Sequence, residues 1–274
     1  MPDLPCPQDD GLYISEIGLW SHHKHVFLTK YLNAFTTSMR GKWESLHYID
    51  LFAGEGITRL KGSGDLQWGS PLIAANARYP FDGIHVCEKN KRKYEALKKR
   101  LELIRPDVQM LCGDANRMVD EIIQKIPDNS LSLAFLDPYG LHLDYSTLEK
   151  LAQRRADLIL FFPDHLDALR NWEEYYLKNP SSNLDSCLGK GADWRSIIHG
   201  TPRDRLAEKL RELYIHQIRA LGYNHFDCEP ICKGNQHLYI LLFCTRHPFA
   251  AELWRRTSGI KPNGQRTFDF PSHY

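Results

Sequence analysis

The sequence is short of several things, and each shortage excludes a class of protein. No apolar run approaches the ~20 residues of a membrane-spanning helix. The longest candidates lie around Leu158–Pro163 and Leu238–Cys244, which is strand length. Neither sign of charge dominates: 35 Lys+Arg face 34 Asp+Glu, a formal net charge of +1. That excludes a globally basic nucleic-acid coat and a globally acidic chain, but not a local basic face. Cysteine is sparse and odd in number, 7 in 274 residues. The cysteines are scattered, which argues against a disulfide framework. Cys87, Cys112 and Cys244 sit in apolar stretches and are expected as small buried hydrophobes. There is no internal repeat and no low-complexity segment. Met1–Gly11 is acidic and Pro-rich, without the basic-then-apolar order of a signal peptide, so a cytoplasmic location is expected.

What is present is the balance of a globular chain, 42% hydrophobic and 25% charged. Trp20–Met39 carries Val26, Phe27, Tyr31, Leu32 and Phe35 at helical spacing, and Gly41 can end that helix. His47–Phe52 is a short apolar strand that stops at Ala53-Gly54-Glu55-Gly56. Gly62, Gly64 and Gly69 predict a loop, after which Ser70 and Pro71 suit a helix cap and first turn. The alternation then repeats. Strands are predicted at Gly83–Cys87, Val108–Cys112, Leu131–Leu136 and Asp157–Phe162, and helices at Lys91–Ile104, Asn116–Ile126 and Tyr145–Arg154. Residues 166–200 loosen into a helical insertion. Arg203–Leu221 is a helix, Phe226–Cys232 and His237–Thr245 form a hairpin, and Pro248–Ser258 is a last helix.

Continuous apolar strands belong to a sheet buried on both faces. Strand–helix alternation forces parallel pairing. The expectation is an α/β fold with an open, doubly wound, mostly parallel sheet, completed to seven strands by the C-terminal β-hairpin. One domain is expected over 20–258, with tails at 1–19 and 259–274. A ligand in such a fold lies beyond the carboxyl ends of the strands, and the glycine turns and acidic residues collect at those ends.

Asp50-Leu-Phe-Ala-Gly54-Glu-Gly56 ends the first strand. Its glycines permit positive φ and close backbone approach to a ligand. Asp50 can hold an ammonium or orient the loop. Glu88, ending the second strand, can accept both ribose hydroxyls of an adenosine, and Asp114, ending the third, can accept an adenine amino group. Phe52 and Ala115 flank these positions. A nicotinamide cofactor prefers three glycines leading directly into a helix, whereas position 59 is Arg. No Lys-Ser/Thr follows the glycines, which removes a P-loop. S-adenosylmethionine fits better. Asp137-Pro138-Tyr139-Gly140 ends the fourth strand. Methyl transfer to an exocyclic base nitrogen needs a proton acceptor, a rigid carbonyl and an aromatic ring against the planar base. Asp137, the Pro138 carbonyl and Tyr139 match these needs.

Tyr48-Ile-Asp-Leu-Phe-Ala-Gly-Glu-Gly56 and Phe135-Leu-Asp-Pro-Tyr-Gly140 together resemble the three-Cys-motif partner protein family. Lys24-His25 before a helix, Gly69-Ser-Pro-Leu-Ile73 and Tyr239…Phe243-Cys-Thr-Arg-His-Pro248 fit it as well. The resemblance spans about Trp20 to Trp254. It implies a Rossmann-like class I methyltransferase fold, S-adenosylmethionine as cofactor, a bacterial or phage origin and a partner protein carrying three cysteines. It also implies that Lys24 or His25 folds over the cofactor or substrate mouth. The family's usual first motif has Pro where this chain has Glu55, which adds a negative charge near the cofactor. Asp-Pro-Tyr-Gly is similar to the motif of transfer-RNA guanine N2-methyltransferases, and to the Asp-Pro-Pro-Tyr of base amino methyltransferases. The implied reaction is methyl transfer to an exocyclic amino nitrogen of a nucleic-acid base. An accessory, non-catalytic partner and a small-molecule or peptide methyltransferase are the alternatives.

Other clusters have blander readings. His22-His23-Lys24-His25 reads as a polar helix start. His225, Cys228, Cys232 and His237 approximate zinc spacing, but residues four apart on a strand are ~13 Å apart, so no metal is expected. Basic residues over Lys89–Arg105, and Arg246, Arg255, Arg256, Lys261 and Arg266 beside Trp254 and Phe268, are solvated faces or nucleic-acid contacts. Asp164-His165 ends the fifth strand, where it orients substrate or caps a helix.

Overall fold

A computed structural model describes residues 6–163, 172–179, 181–189, 191–233 and 236–258. In chain order the elements are β1 (Ser15–Ile17), α1 (Leu19–Met39), β2 (Ser45–Asp50), β3 (Ile57–Leu60), β4 (Leu66–Trp68), α2 (Ser70–Ala75), β5 (Gly83–Glu88), α3 (Lys91–Ile104), β6 (Gln109–Cys112), α4 (Ala115–Gln124), β7 (Ser130–Leu136), α5 (Tyr145–Leu151) and β8 (Ala156–Phe162). Then come a π-helical turn at Trp172–Tyr176, α6 (Asn183–Leu188), α7 (Trp194–Ile198), α8 (Leu206–Ala220), β9 (His225–Lys233), β10 (Gln236–Thr245) and α9 (Pro248–Ser258).

Seven strands form one sheet in the order β6-β5-β2-β7-β8-β10-β9. The first five are parallel, and β10 runs antiparallel to β8 and β9. β7 and β8 are buried along their whole length, because helices cover both faces. Alternate residues serve opposite cores. Leu133, Phe135, Ile159 and Phe161 face α1, α2, α3 and α9. Ala134, Leu136, Leu158 and Leu160 face α4, α5 and α8. Each such Leu or Ile stabilises the fold by ~1.5–3 kcal/mol relative to exposure. The register of β10 on β9 slips by one residue between His237 and Tyr239.

The expected doubly wound architecture, the hairpin and the helical insertion are all present. The described part of the insertion is tied to the body by Leu184, Cys187, Leu188, Trp194 and Ile198. Within it Arg195, the Ser182 hydroxyl and the Trp194 indole all bond Asp185. They outweigh partial burial and hold its carboxyl well below the usual range.

Several local expectations are corrected. Residues 57–68, expected as a glycine-rich loop, contain the antiparallel pair β3 and β4. Ser15–Ile17, expected in a tail, pairs in parallel with β3. Gly69, not Ser70, occupies the cap position of α2. Cys87 and Cys244 are buried, but Cys112 is exposed, because β6 is the sheet's edge strand. Asp164, His165, Lys261, Arg266 and Phe268 lie outside the described residues, as do the side chains of His22, His23, Cys232 and His237.

At the amino-terminal end of the sheet, imidazoles form a buried chain across three strands. Ser45 Oγ meets His47 Nε2 at 3.0 Å, His47 Nδ1 meets His85 Nε2 at 3.0 Å, and His85 Nδ1 meets Gln109 Oε1 at 3.1 Å. Burial, then the neighbouring His47, pushes the His85 pKa down to about 4. A histidine kept neutral by folding binds its proton in the unfolded chain first. Its contribution therefore erodes as pH falls from about 6.5 towards 4. Asp50 and Asp157, whose pKa values burial raises, titrate with the opposite sign, so the readout is a difference between variants. His85→Gln is expected to lose less of its urea midpoint than the parent between pH 7 and pH 4.5. An equal loss in both would sink this assignment.

Candidate functional site

β2 ends at Asp50, and the chain then turns through Gly54 and Gly56, both at positive φ. Asp50 is wholly buried. Its Oδ1 accepts the Phe52 amide at 3.2 Å and its Oδ2 the Tyr48 hydroxyl at 3.2 Å, and the Ser70 hydroxyl also bonds it. Burial pushes its pKa up to about 7 against these hydrogen bonds. Of the two roles open in the sequence, orienting the loop is the one this geometry supplies. Phe52 itself packs on the core beneath the turn.

Glu88 reaches the same turn from β5, the neighbouring strand. Its Oε2 accepts the Gly54 amide at 2.8 Å and its Oε1 the Asn90 amide at 2.7 Å. Each carboxylate oxygen retains a second lone pair for another donor. Asp114 caps α4, its Oδ1 accepting the Asn116 amide at 3.0 Å, while its Oδ2 lies 2.9 Å from Lys89 Nζ. Partial burial opposes ionisation, but Lys89 and the Asn116 amide outweigh it and lower the Asp114 pKa. Ala115, the first residue of α4, is buried. A Cβ placed on Gly54 would meet nothing within 4 Å, so one side of the turn is open to a ligand.

Glu55 does not add its charge to that opening. It is buried; Oε1 accepts the Ser15 amide at 2.8 Å and Oε2 lies 3.3 Å from Lys93 Nζ. Arg100 completes the lock. Its Nη1 donates to the carbonyls of Glu55 at 2.6 Å and Tyr13 at 3.1 Å, while Nε and Nη2 grip Asp10 at 2.7 Å each. Arg100 therefore belongs to no solvated face, being 3% exposed. Its place four residues after Ala96 and three after Leu97, on the apolar side of α3, was a readable signal.

On the other side of β2, Asp137 directly follows β7. Lys24 Nζ, from the first turns of α1, donates to Asp137 Oδ1 at 2.7 Å and Oδ2 at 2.9 Å. The same nitrogen stands 4.3 Å from the ring centres of Phe161 and of Tyr239. Lys24, which the motif likeness implies folds over the mouth, thus lies against Asp137 and two rings. His25 follows it on α1. Phe161 and Tyr239 were missed as site residues. The signal was their position: one near the end of β8, the other near the start of the antiparallel β10, hence at the same edge. Pro138 is buried, whereas Tyr139 is 93% exposed, so its ring contributes no wall to this cluster. Arg246, expected in a basic groove, instead donates to the carbonyls of Ala152, Arg154 and Leu221. Trp254 is buried against Phe243.

Five parallel strands with an antiparallel strand inserted before the last define the class I methyltransferase fold. No protein-family model matches the sequence, and no curated protein matches it. Among solved structures, the chain is similar to protein LPL1258 from Legionella pneumophila, with 14% identity, a TM-score of 0.54, and 86% of this chain and 89% of that one covered. Trm1 from Pyrococcus horikoshii, solved with S-adenosyl-L-methionine, gives 12% identity and a TM-score of 0.44 over 95% of this chain and 61% of that one. Cofactor-bound Rv0187 from MTB gives 11% and 0.45 over 82% and 80%. At such identities the likeness concerns the fold alone.

The two turn glycines should respond differently to alanine. At Gly56 a Cβ would stand 2.9 Å from Leu97 Cδ1 and 3.0 Å from Leu72 Cδ1, with φ at +87°. Gly56→Ala is expected to cost about 2–4 kcal/mol, strain and overpacking combined. Gly54→Ala, with strain alone at φ +66°, should cost about 1 kcal/mol. Thermal melts of the two variants check this; equal losses would show that Gly54 is as enclosed as Gly56.

Proposed function

We propose that this chain is an S-adenosylmethionine-dependent methyltransferase whose acceptor is an amino nitrogen, and that the nitrogen is an exocyclic one on a nucleic-acid base. The observation that carries the reading is Asp137. It directly follows the strand next to the one that ends in the glycine turn, and both its oxygens accept from a nitrogen, that of the Lys24 ammonium. The motif likeness to three-Cys-motif partner proteins and to base methyltransferases supports the same acceptor class.

The residues at the turn fit the cofactor. The open side of Gly54 admits a ligand backbone, Glu88 offers lone pairs to ribose hydroxyls, and Asp114 offers one to an adenine amino group. Asp50 and Arg100 act behind the turn, fixing the amide directions from below and from the side. S-adenosylmethionine supplies a methyl group on a sulfonium, which needs no activation as a leaving group. What remains for the protein is placement and proton handling. Holding the acceptor nitrogen in line is worth effective concentrations of ~10⁵–10⁸ M in well-oriented systems. Asp137 accepts hydrogen bonds from the amino group, which keeps its lone pair free to attack, and takes the proton released. The Pro138 carbonyl adds a rigid acceptor, and the exposed Tyr139 ring offers a face to a base arriving from solvent.

A second reading has one observation in its favour. Because Lys24 fills Asp137, the resting chain also suits an accessory partner of a three-Cys-motif protein. Transfer of radiolabelled methyl separates the two. Label is expected in the macromolecular fraction when bulk tRNA, rRNA or DNA is offered; label confined to small products would overturn the base assignment, and none at all would favour the accessory reading. Glu88→Ala is expected to abolish calorimetric binding of S-adenosylmethionine. Asp137→Asn should bind it within a few-fold of the parent yet turn over at least 100-fold more slowly. Equal losses of binding and turnover in Asp137→Asn would mark the aspartate as structural.

A further inference from the structure

We infer that Asp137, Phe161 and Tyr239 form a binding pocket for a primary amino group, that Lys24 occupies it in the resting chain, and that an acceptor must displace Lys24 to enter. The inference rests on the reading of Asp137 as the acceptor-side carboxylate and adds to it the pocket's walls and its occupant.

Three groups converge on one nitrogen, Asp137 from just beyond β7, Phe161 from β8 and Tyr239 from β10. Asp137 supplies two short charge-assisted hydrogen bonds, 2.7 and 2.9 Å. Phe161 and Tyr239 supply ring faces, each 4.3 Å from the nitrogen, at the distance where a cation is held by a ring's quadrupole. The rings are fixed at 75° to each other with centres 5.8 Å apart, and Phe135 buttresses Phe161 edge-on at 5.3 Å. Two walls at nearly a right angle and a carboxylate make a corner that recognises an ammonium, whichever chain carries it, and whose carboxylate accepts equally from the N–H of an uncharged amino group.

A second observation points to a ligand beyond Lys24. The Tyr239 hydroxyl is buried and has no hydrogen-bond partner among the described residues. An unpaired buried hydroxyl is costly, and an incoming acceptor with polar atoms beside its amino group would satisfy it. Lys24, an unbranched side chain, leaves it unsatisfied.

The occupant is placed to leave. Lys24 lies in the early turns of α1, which begins after Gly18 with no side-chain cap and no acidic residue in its first turn. An uncapped helix start has unsatisfied amides and little to hold it beyond its tertiary contacts. Departure of Lys24 uncovers Asp137, and the apparent affinity for an acceptor is lowered by the fraction of time the lysine is in place.

The test needs neither cofactor nor natural acceptor. Lys24→Ala removes three methylenes and the ammonium, which n-propylammonium replaces atom for atom. We expect n-propylammonium, at ten times its dissociation constant, to raise the Tm of Lys24→Ala by about 2–5 °C. Equal ionic strength of NaCl and n-propanol should not do so. The parent should not respond, and neither should Lys24→Met, whose side chain fills the corner without charge. Adding Asp137→Asn to Lys24→Ala should erase the effect. Equal shifts in parent and Lys24→Ala, or none in the variant, overturn the proposal. Should Lys24→Ala fail to fold, n-propylammonium must restore it during refolding, and failure to do so overturns the proposal equally. Calorimetric binding of S-adenosylmethionine to the parent is scored separately, so loss of the methyltransferase reading is distinguishable from loss of the pocket.

Discussion

Carboxylates accepting backbone amides hold the carboxyl edge of this sheet together. Asp50 takes the Phe52 amide, Glu88 those of Gly54 and Asn90, Glu55 that of Ser15, and Asp114 that of Asn116. A parallel sheet leaves its strands at one edge with amides that no neighbouring strand satisfies, and a buried unpaired amide is costly. Acidic residues at strand ends answer that need. The same residues give the edge a negative character suited to hydroxyl, amino and cationic groups, so one arrangement serves stability and recognition.

Such a concentration of acid requires compensation, and the chain supplies it with cations from elements distant in sequence. Arg100 binds Asp10 and the Glu55 carbonyl, Lys93 lies beside the Glu55 carboxylate, Lys89 beside Asp114, and Lys24 on Asp137. At Asp50 burial prevails over the hydrogen bonds and pushes the pKa up to about 7, and at Asp157, early in β8, it prevails over Thr245 and Arg246 and pushes it up to about 6. The near balance of 35 basic and 34 acidic residues thus conceals local order, with most of these acids at or just beyond strand ends and their partners on α1, on α3 and, for Lys89, just before α3. Breaking one partner of a buried pair is more damaging than replacing both, which is why the neutral, isosteric change at Asp137 is the informative one.

Most of the sheet was legible because buried parallel strands announce themselves as apolar runs, and β7 and β8 each differ from expectation by one residue. α3 was legible to the residue, Lys91–Ile104. The turn Asp50–Gly56, Glu88, Asp114 and Asp137 were legible as ends of strands. What sequence did not convey was which atoms these residues meet. Arg246 looked like part of a basic groove and is instead a clasp for three carbonyls. Tyr139 was legible as a ring beside the motif but not its exposure to solvent, and the two rings that flank the Lys24 ammonium, Phe161 and Tyr239, come from other strands. Cys112 looked buried until its strand proved to be the sheet's edge. Each of these depends on tertiary neighbours, which local pattern does not encode.

The slip in register between His237 and Tyr239 gives the hairpin a counting rule. Side chains on a strand alternate between its two faces, and an extra residue at such an irregularity resets that alternation. From Tyr239 onward the register of β10 is pinned by β9, and from Ile240 by β8 as well. The hairpin tip can therefore change length without turning the aromatic wall away from the strand-end acids.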